Sequence, residues 1–194
     1  MIAALFVQRN GCYWNLPDVD PWDEERDARR YYGPWPVVAH PPCARWCRLA
    51  GQMEQRHGLK RGDDGGCFAS ALDCVRGFGG VLEHPAFTEA FAAHGLPAPD
   101  QRGGWQRTLD GGAVCHVDQG HYGHRVNKPT WLYAHGVNLP DLRWGPANIE
   151  NRSPRTRTGQ VQLLSKKQRI ATPHAFRDLL ISMAKSVERR QPKL

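Results

Sequence analysis

Apolar positions along this chain fall into short runs separated by glycine, proline and charged residues. Ile2 to Val7 reads as a first strand, closed by a turn at Gln8-Arg9-Asn10-Gly11 in which Gly11 is able to take a positive φ. Val37-Val38-Ala39 reads as the end of a buried strand. Pro41 and Pro42 stop it, because neither can donate a backbone hydrogen bond. Cys67 to Phe78 places Phe68, Ala71, Leu72 and Val75 at helical spacing, with Asp64 as a possible cap and Gly79-Gly80 as the stop. Val81-Leu82 is a short strand ended by Glu83-His84-Pro85. Trp105 to Thr108 and Ala113 to Val117 flank Asp110-Gly111-Gly112, a hairpin signal, and Thr130 to Ala134 is a further strand. Phe176, Leu179, Leu180, Met183 and Val187 share one face of a last helix opened by Thr172-Pro173.

The remaining segments carry weaker patterns. Asp20-Pro21-Trp22-Asp23 predicts a helix start, with Asp20 as N-cap, running to about Tyr32 before Gly33-Pro34. Ala44 to Lys60 predicts a loose helix or an active-site loop, and Phe87 to His94 a short helix stopped by Gly95. Gln119 to Lys128 is a polar loop. A basic loop is expected over 137–172, and the last helix over about 173–187. The order strand, Pro-Pro-Cys, helix, strand, Glu makes a βαβ unit, so the expectation is an α/β fold in a single domain over 1–194.

Composition adds direction to this pattern. With 194 residues and 40% apolar content the chain is long enough for a real core. No apolar run approaches the ~20 residues of a membrane helix, so no membrane partner is expected. The net charge of +7 favours polyanions, nucleic acid first among them. From Arg143 onward there are 12 Lys or Arg against 3 Asp or Glu, so the basic excess is concentrated there. The six cysteines show no disulfide framework and no export signal stands at Met1, which leads to reduced thiols in a cytoplasm. His40, Cys43 and Cys47 have an H-x2-C-x3-C spacing that leaves zinc as a lesser alternative, and His116, His121, His124 and His135 suggest phosphate or base contacts ahead of a metal.

Cys43 and Glu83 carry the chemistry. Both stand at ends of neighbouring predicted strands, where open α/β sheets bind ligands. A thiolate adds to carbon 6 of a pyrimidine, and a carboxylic acid at nitrogen 3 absorbs the charge, leaving carbon 5 nucleophilic. Taken alone, a cysteine in a loop and a carboxylate at a strand end also read as ordinary structural residues. Arg45 stands close enough in sequence to lower the thiol pKa. Trp46 and Trp105 suit base stacking or core packing.

These residues resemble the DNA cytosine-5 methyltransferases. That family carries Pro-Pro-Cys after one strand and Glu-Asn-Val at the end of the next; this chain has Pro41-Pro42-Cys43 and Glu83-His84-Pro85. The family's Tyr-Gly-x-Pro-Gln-x-Arg-x-Arg hairpin is matched by Tyr122-Gly123 and the stretch to Lys128-Pro129-Thr130. The resemblance covers about Val37 to Gly136 and implies a Rossmann-like methyltransferase-type sheet with flanking helices, reduced in size. It also implies DNA, double- or single-stranded, as substrate and S-adenosylmethionine as cofactor. Cys43 is then the nucleophile and Glu83 the acid. Phe6, Gly11, Asp20 and Pro41 are the implied cofactor contacts, and Arg45, His84, Tyr122, His124, Arg125, Lys128 and Thr130 the substrate contacts.

The chain departs from the family in four places. Only the last glycine of its Phe-x-Gly-x-Gly loop remains, as Gly11; both hairpin arginines have changed; the family's Gly-Asn-Ser-Val is not visible near Ala171-Thr172-Pro173; and no target recognition module fits between Val137 and Pro173. A minimal, phage-like enzyme is the expectation. A base-modifying enzyme with another donor, and a catalytically inactive DNA-binding protein that blocks host enzymes, are the alternatives. Arg143, Arg152, Arg155, Arg157, Lys166, Lys167 and Arg169 are candidates for phosphate neutralisation.

Overall fold

The structure is a computed structural model that describes residues 1–47, 50–58, 60–148 and 165–187. It is a mixed α/β fold. Seven strands form one sheet in the order β2-β1-β3-β4-β7-β6-β5. They are β1 (Ile2–Leu5), β2 (Val19–Trp22), β3 (Val37–Ala39), β4 (Gly80–Pro85), β5 (Gln106–Arg107), β6 (Ala113–Asp118) and β7 (Pro129–His135). β1 pairs parallel with β2 and β3, and β3 parallel with β4. β7 runs antiparallel between β4 and β6, and β5 closes the edge as a hairpin with β6.

Alternation along the strands divides the core in two. Leu5, Val37, Ala39, Leu82 and Tyr133 face one layer with Phe68, Leu72 and Val75 of α2 (Cys67–Phe78). Phe91 of α3 (Ala90–Ala93) joins that layer. Ile2, Ala4, Val38, Val81 and Leu132 face the other, against Phe176, Leu180 and Met183 of α5 (His174–Lys185). Helices on both faces explain why the central strands read as unbroken apolar runs. Two shorter helices, α1 (Ala50–His57) and α4 (Lys166–Ile170), complete the described elements.

β3, α2 and β4 form the expected βαβ unit, with Val37 opposite Gly80 and Ala39 opposite Leu82. Gly80 has φ +137° and a Cβ there would lie 1.9 Å from the Val37 carbonyl oxygen, so the two strands approach as only glycine allows. Asp64 accepts from the amides of Gly66 (3.0 Å) and Phe68 (2.9 Å), which secures the start of α2 although Gly66 occupies the N-cap.

The helix expected from Asp20 to about Tyr32 is not formed. Val19–Trp22 is instead an edge strand beside β1, a position where Pro21 leaves no ladder bond unmade. The Asp20 carboxylate, expected to cap a helix, accepts from Trp22 Nε1 (2.8 Å) and Arg26 Nη1 (2.6 Å). What remains of the helix is a 3-10 turn over Ala28–Arg30, capped by Asp27. Gly11 is also corrected. The positive φ falls on Asn10 (55°), and Gly11 is required because a Cβ would meet the Gln8 carbonyl oxygen at 2.8 Å. Residues 6–18 then cross from β1 to β2 without a helix.

The expected helix from Phe87 shortens to α3, with Phe87 itself at φ +64° and the Thr88 hydroxyl accepting from the Ala90 amide at 3.2 Å. The segment Ala44 to Lys60 contains α1, and the basic loop contains α4, so 137–172 is not loop throughout. Arg152, Arg155 and Arg157, and the side chains of Lys166 and Lys167, lie outside the described residues. Among the described residues no helix is long and apolar enough to cross a membrane.

Candidate active site at the carboxyl ends of β3 and β4

Because β3 and β4 are parallel neighbours, His40-Pro41-Pro42-Cys43 and Glu83-His84 leave the sheet at the same edge. Successive residues of β4 face opposite layers, so Glu83 and His84 serve two different surroundings. Glu83 lies on the α5 side and is 8% exposed. His40 Nδ1 donates to Glu83 Oε2 (2.9 Å), and Gln119 Nε2 donates to Glu83 Oε1 (3.0 Å). The other nitrogen of His40 meets the Tyr13 hydroxyl at 2.8 Å, so Tyr13, His40 and Glu83 form a chain of hydrogen bonds. Gln119 is held in turn by the Thr130 hydroxyl (3.0 Å), which donates to the Lys128 carbonyl (3.0 Å).

Burial alone raises the Glu83 pKa. The hydrogen bond and charge of His40, with Lys128 and His84 behind them, outweigh that effect and hold the carboxyl below its ordinary value. Glu83 is therefore an ionised acceptor, consistent with the amide N–H that Gln119 directs at it. Lys128 Nζ donates to the carbonyls of Ile170 (3.3 Å) and Ala171 (3.1 Å). Burial lowers its pKa against the opposing charges of Glu83, Cys43 and Cys12.

Cys43 stands exposed where the chain turns out of β3. Partial enclosure of its sulfur raises the thiol pKa, and the Glu83 charge raises it further, with Lys128 opposing. Cys43 rests as a protonated thiol. On the α2 side it opens onto a cleft of about 170 Å³ that His84 also lines. His84 is wholly buried and packs edge-on against Phe68, with ring centroids 5.2 Å apart. Neither ring nitrogen makes a hydrogen bond of good geometry, although the Pro42 carbonyl lies close enough to favour the protonated ring. Burial dominates and pushes its pKa down to about 4, so His84 is neutral.

The other expected contacts are distributed differently. Lys128, expected as a substrate contact, comes into the electrostatic reach of both Cys43 and Glu83. Thr130 is buried and acts on Glu83 only through Gln119. Tyr122 packs on Phe176 (5.4 Å between centroids), and its hydroxyl accepts from the Arg143 amide. His124 is buried with Nδ1 on the Val126 carbonyl (2.8 Å) and Nε2 unpaired. Arg125 is exposed, and Arg45 is half-buried beside Cys43. Of the implied cofactor contacts, Phe6 ends β1 at φ +58° and packs on the core, Gly11 sits in the Gln8 turn, and Pro41 is buried next to His40. Asp20 is already engaged by Trp22 and Arg26.

Trp46 and Trp105 both contribute to packing, and Trp46 also lines the cleft. His116, His121 and His135 are each bonded elsewhere, to Trp131, the Gly145 carbonyl and the Asp110 carbonyl. Among the described residues no group of three His, Cys, Asp or Glu side chains is placed to hold a metal, His40-Cys43-Cys47 included.

Tyr13 and Gln119 were not among the expected site residues, and the spacing of His40 with Cys43 and Cys47 pointed only to zinc. His40 had a signal, since it immediately precedes Pro41-Pro42-Cys43 on the strand that carries the thiol. Tyr13 and Gln119 lie in loops whose approach to Glu83 no local pattern encodes.

No family model, curated protein or solved structure matches this chain.

Proposed function

We propose that this protein modifies pyrimidine bases in DNA by covalent addition of Cys43 to carbon 6 and group transfer at carbon 5, in the manner of a cytosine-5 methyltransferase. The observation that carries this is the convergence of Cys43 and Glu83 at two neighbouring strand ends, with the Glu83 carboxylate held by His40 and Gln119; the directions of the two pKa shifts, thiol up and carboxyl down, agree with a protonated thiol beside an ionised carboxylate. Addition needs a thiolate and a proton at nitrogen 3, and the resting pair holds the one proton required. It leaves Sγ, is taken up by the Glu83 carboxylate and passes to nitrogen 3 as the Sγ–C6 bond forms. The electron pair displaced from the C5–C6 double bond makes carbon 5 a nucleophile. After carbon 5 takes an electrophilic group, its proton is lost to solvent, the Sγ–C6 bond breaks as the C5–C6 double bond reforms, and the nitrogen 3 proton returns through Glu83 to the departing thiolate. His40 and Gln119 position the carboxylate throughout, and Lys128 stabilises negative charge shared between Sγ and Glu83.

The sheet supports the same reading. The parallel strands β2, β1, β3 and β4 carry Cys43 and Glu83 to one edge, within a mixed sheet in which β7 and β5 run reversed. The net charge of +7 supports a nucleic-acid substrate, and a duplex substrate would require the base to be flipped out of the stack. The site implied for S-adenosylmethionine fits less well: residues 6–18 form no helix, and Asp20 is tied to Trp22 and Arg26. That favours, as a second reading, the same attack with a different donor of electrophilic carbon.

The test is covalent trapping on DNA containing 5-fluorocytosine, in which fluorine blocks the loss of the carbon 5 proton. With S-adenosylmethionine present, the native chain is expected to form a denaturant-stable adduct and Cys43→Ala none. Absence of any adduct, or an equal adduct from Cys43→Ala, would overturn the proposal. Calorimetry with S-adenosylmethionine separates the two donors, tight binding favouring the first.

A further inference from the structure

Cys47 takes no part in the chemistry proposed above, and the zinc that its spacing suggested finds no set of three ligands among the described residues. What the fold builds there is a pair of thiols. Cys43 and Cys47 are both exposed, whereas Trp46 between them is buried. Trp46 anchors the turn from inside: its Nε1 donates to Asp64 Oδ2 (2.8 Å), and its carbonyl accepts from the Glu89 amide (3.0 Å). The Arg45 carbonyl accepts from the Gly62 amide at 2.9 Å. The Trp46 amide donates back to the Cys43 carbonyl at 3.0 Å, so the chain folds on itself between the two cysteines. The Cys47 thiol turns back as well and donates to the Ala44 carbonyl at 3.6 Å. Both thiols line one cleft, and the charge of Cys47 is felt at Cys43. On a helical turn, residues four apart have Cβ atoms about 5–6 Å apart, and a disulfide requires about 3.5–4.5 Å. A turn of this kind therefore leaves only ~1–2 Å to close.

We infer that Cys43 and Cys47 are a modification site for hydroperoxides, joined by oxidant into a reversible disulfide that withdraws the nucleophile from use. The bond itself requires nothing of the base chemistry, but its consequence, an arrested addition, rests on the reading of Cys43 as the pyrimidine nucleophile. With hydrogen peroxide as oxidant the sulfur of one thiol attacks a peroxide oxygen, the O–O bond breaks, and one water departs to leave a sulfenic acid. The sulfur of the second thiol attacks the first, the S–O bond breaks, and the displaced hydroxide leaves with the second thiol's proton as another water. The pair of thiols is oxidised by two electrons and the peroxide is reduced. Exposure favours this pair, since Cys74 and Cys115 are buried and Cys12 and Cys67 are partly covered. A ring of so few residues constrains the unfolded chain little, so the bond adds little stability and yields to a reducing thiol. That reversal sets it apart from the sulfinic acid to which an unpaired Cys43 advances.

The experiment exposes the full chain to hydrogen peroxide, removes the excess with catalase, blocks remaining thiols with iodoacetamide and digests without reduction. Trypsin cuts after Arg45, so Tyr31–Arg45 and Trp46–Arg48 stay joined only through a disulfide. Mass spectrometry is expected to find that joined pair in the folded native chain and to lose it after dithiothreitol. In the same samples the oxidised protein is expected to lose adduct formation on 5-fluorocytosine DNA, and the reduced protein to regain it. Cys47→Ser is expected to form adducts as the native chain does when reduced, to give no joined pair, and to recover fewer adducts after peroxide because Cys43 advances to sulfinic acid. No joined pair in the native chain, a joined pair that forms only in urea, or a joined pair that leaves adduct formation undiminished would overturn the inference. Adducts from the reduced protein without a joined pair would reject the switch and keep the chemistry. A joined pair in a protein that forms no adduct when reduced would reject the chemistry and keep the modification site.

Discussion

Replacing His84 with leucine separates two costs that the native chain carries together, an unpaired buried imidazole and its resistance to protonation. The ordinary histidine pKa of 6.5 applies to the unfolded chain, whereas in the fold burial pushes that of His84 down to about 4. Glu83, Asp64 and the Pro42 carbonyl oppose that fall, and His40 adds to it. Because the folded pKa is depressed, stability is full above the unfolded value and is lost as pH falls toward the folded one. At about 1.4 kcal/mol per pH unit, the loss is roughly 2.5 kcal/mol between about pH 7 and about pH 4.5. At neutral pH the leucine variant should lie within about 1 kcal/mol of the native chain, since losing the contact with Phe68 is offset by removing two unpaired polar atoms. Towards acid it should become the more stable of the two by about the 2.5 kcal/mol just derived. Urea unfolding followed by tryptophan fluorescence over that pH range measures both. His116 also has a lowered pKa, but it is common to the two proteins and cancels. A stability difference that stayed constant across the range would refute the assignment of a neutral, buried His84.

His40→Ala should cost about 3 kcal/mol, the lower end for breaking a largely buried pair, because Gln119 still serves Glu83. A double-mutant cycle with Glu83→Gln should return a coupling of about 1.5–3 kcal/mol, and additivity would sink the network. Gly80→Ala should cost about 4 kcal/mol or more, since its methyl group would lie 1.9 Å from a backbone oxygen that cannot rotate away. A folded variant of near-native urea midpoint would disprove that close approach. Adduct formation should hold a broad pH plateau, its acid limb below the ordinary carboxylate value because Glu83 is lowered, its alkaline limb above the ordinary thiol value because Cys43 is raised. Measured on 5-fluorocytosine DNA, a narrow optimum near neutrality would contradict the resting thiol and carboxylate.

Much of the sheet was legible because its strands obey simple rules. Val37–Ala39 is apolar and bounded by prolines, Ala113–Asp118 follows a turn sequence, and α2 and α5 show unambiguous helical spacing. Val19–Trp22 was not legible. Asp-Pro-Trp-Asp is as good a helix start as any, and only the proximity of β1 makes it a strand, a tertiary contact that overrides local preference. The site divides along the same line. Cys43 and Glu83 could be found because strand ends in a βαβ unit converge. Tyr13 and Gln119 could not, because the loop after β1 and the turn after β6 meet Glu83 across the sheet.

Glu83 and His84, adjacent near the end of β4, lie in two different surroundings. Glu83 has polar neighbours, with His40, Gln119 and Lys128 within its reach. His84, on the opposite face, meets Phe68 and lines the cleft with Cys43. The pleat supplies the separation, since adjacent side chains on a strand point to opposite faces. Cys43 is the residue in touch with both, electrostatically with Glu83 and by lining the cleft with His84. A shift of β4 by one residue would exchange the faces, bury a charge against Phe68 and leave the thiol without its proton acceptor. The close approach of Gly80 to Val37 fixes that register, so a backbone contact at the far end of β4 controls which side chain meets the thiol.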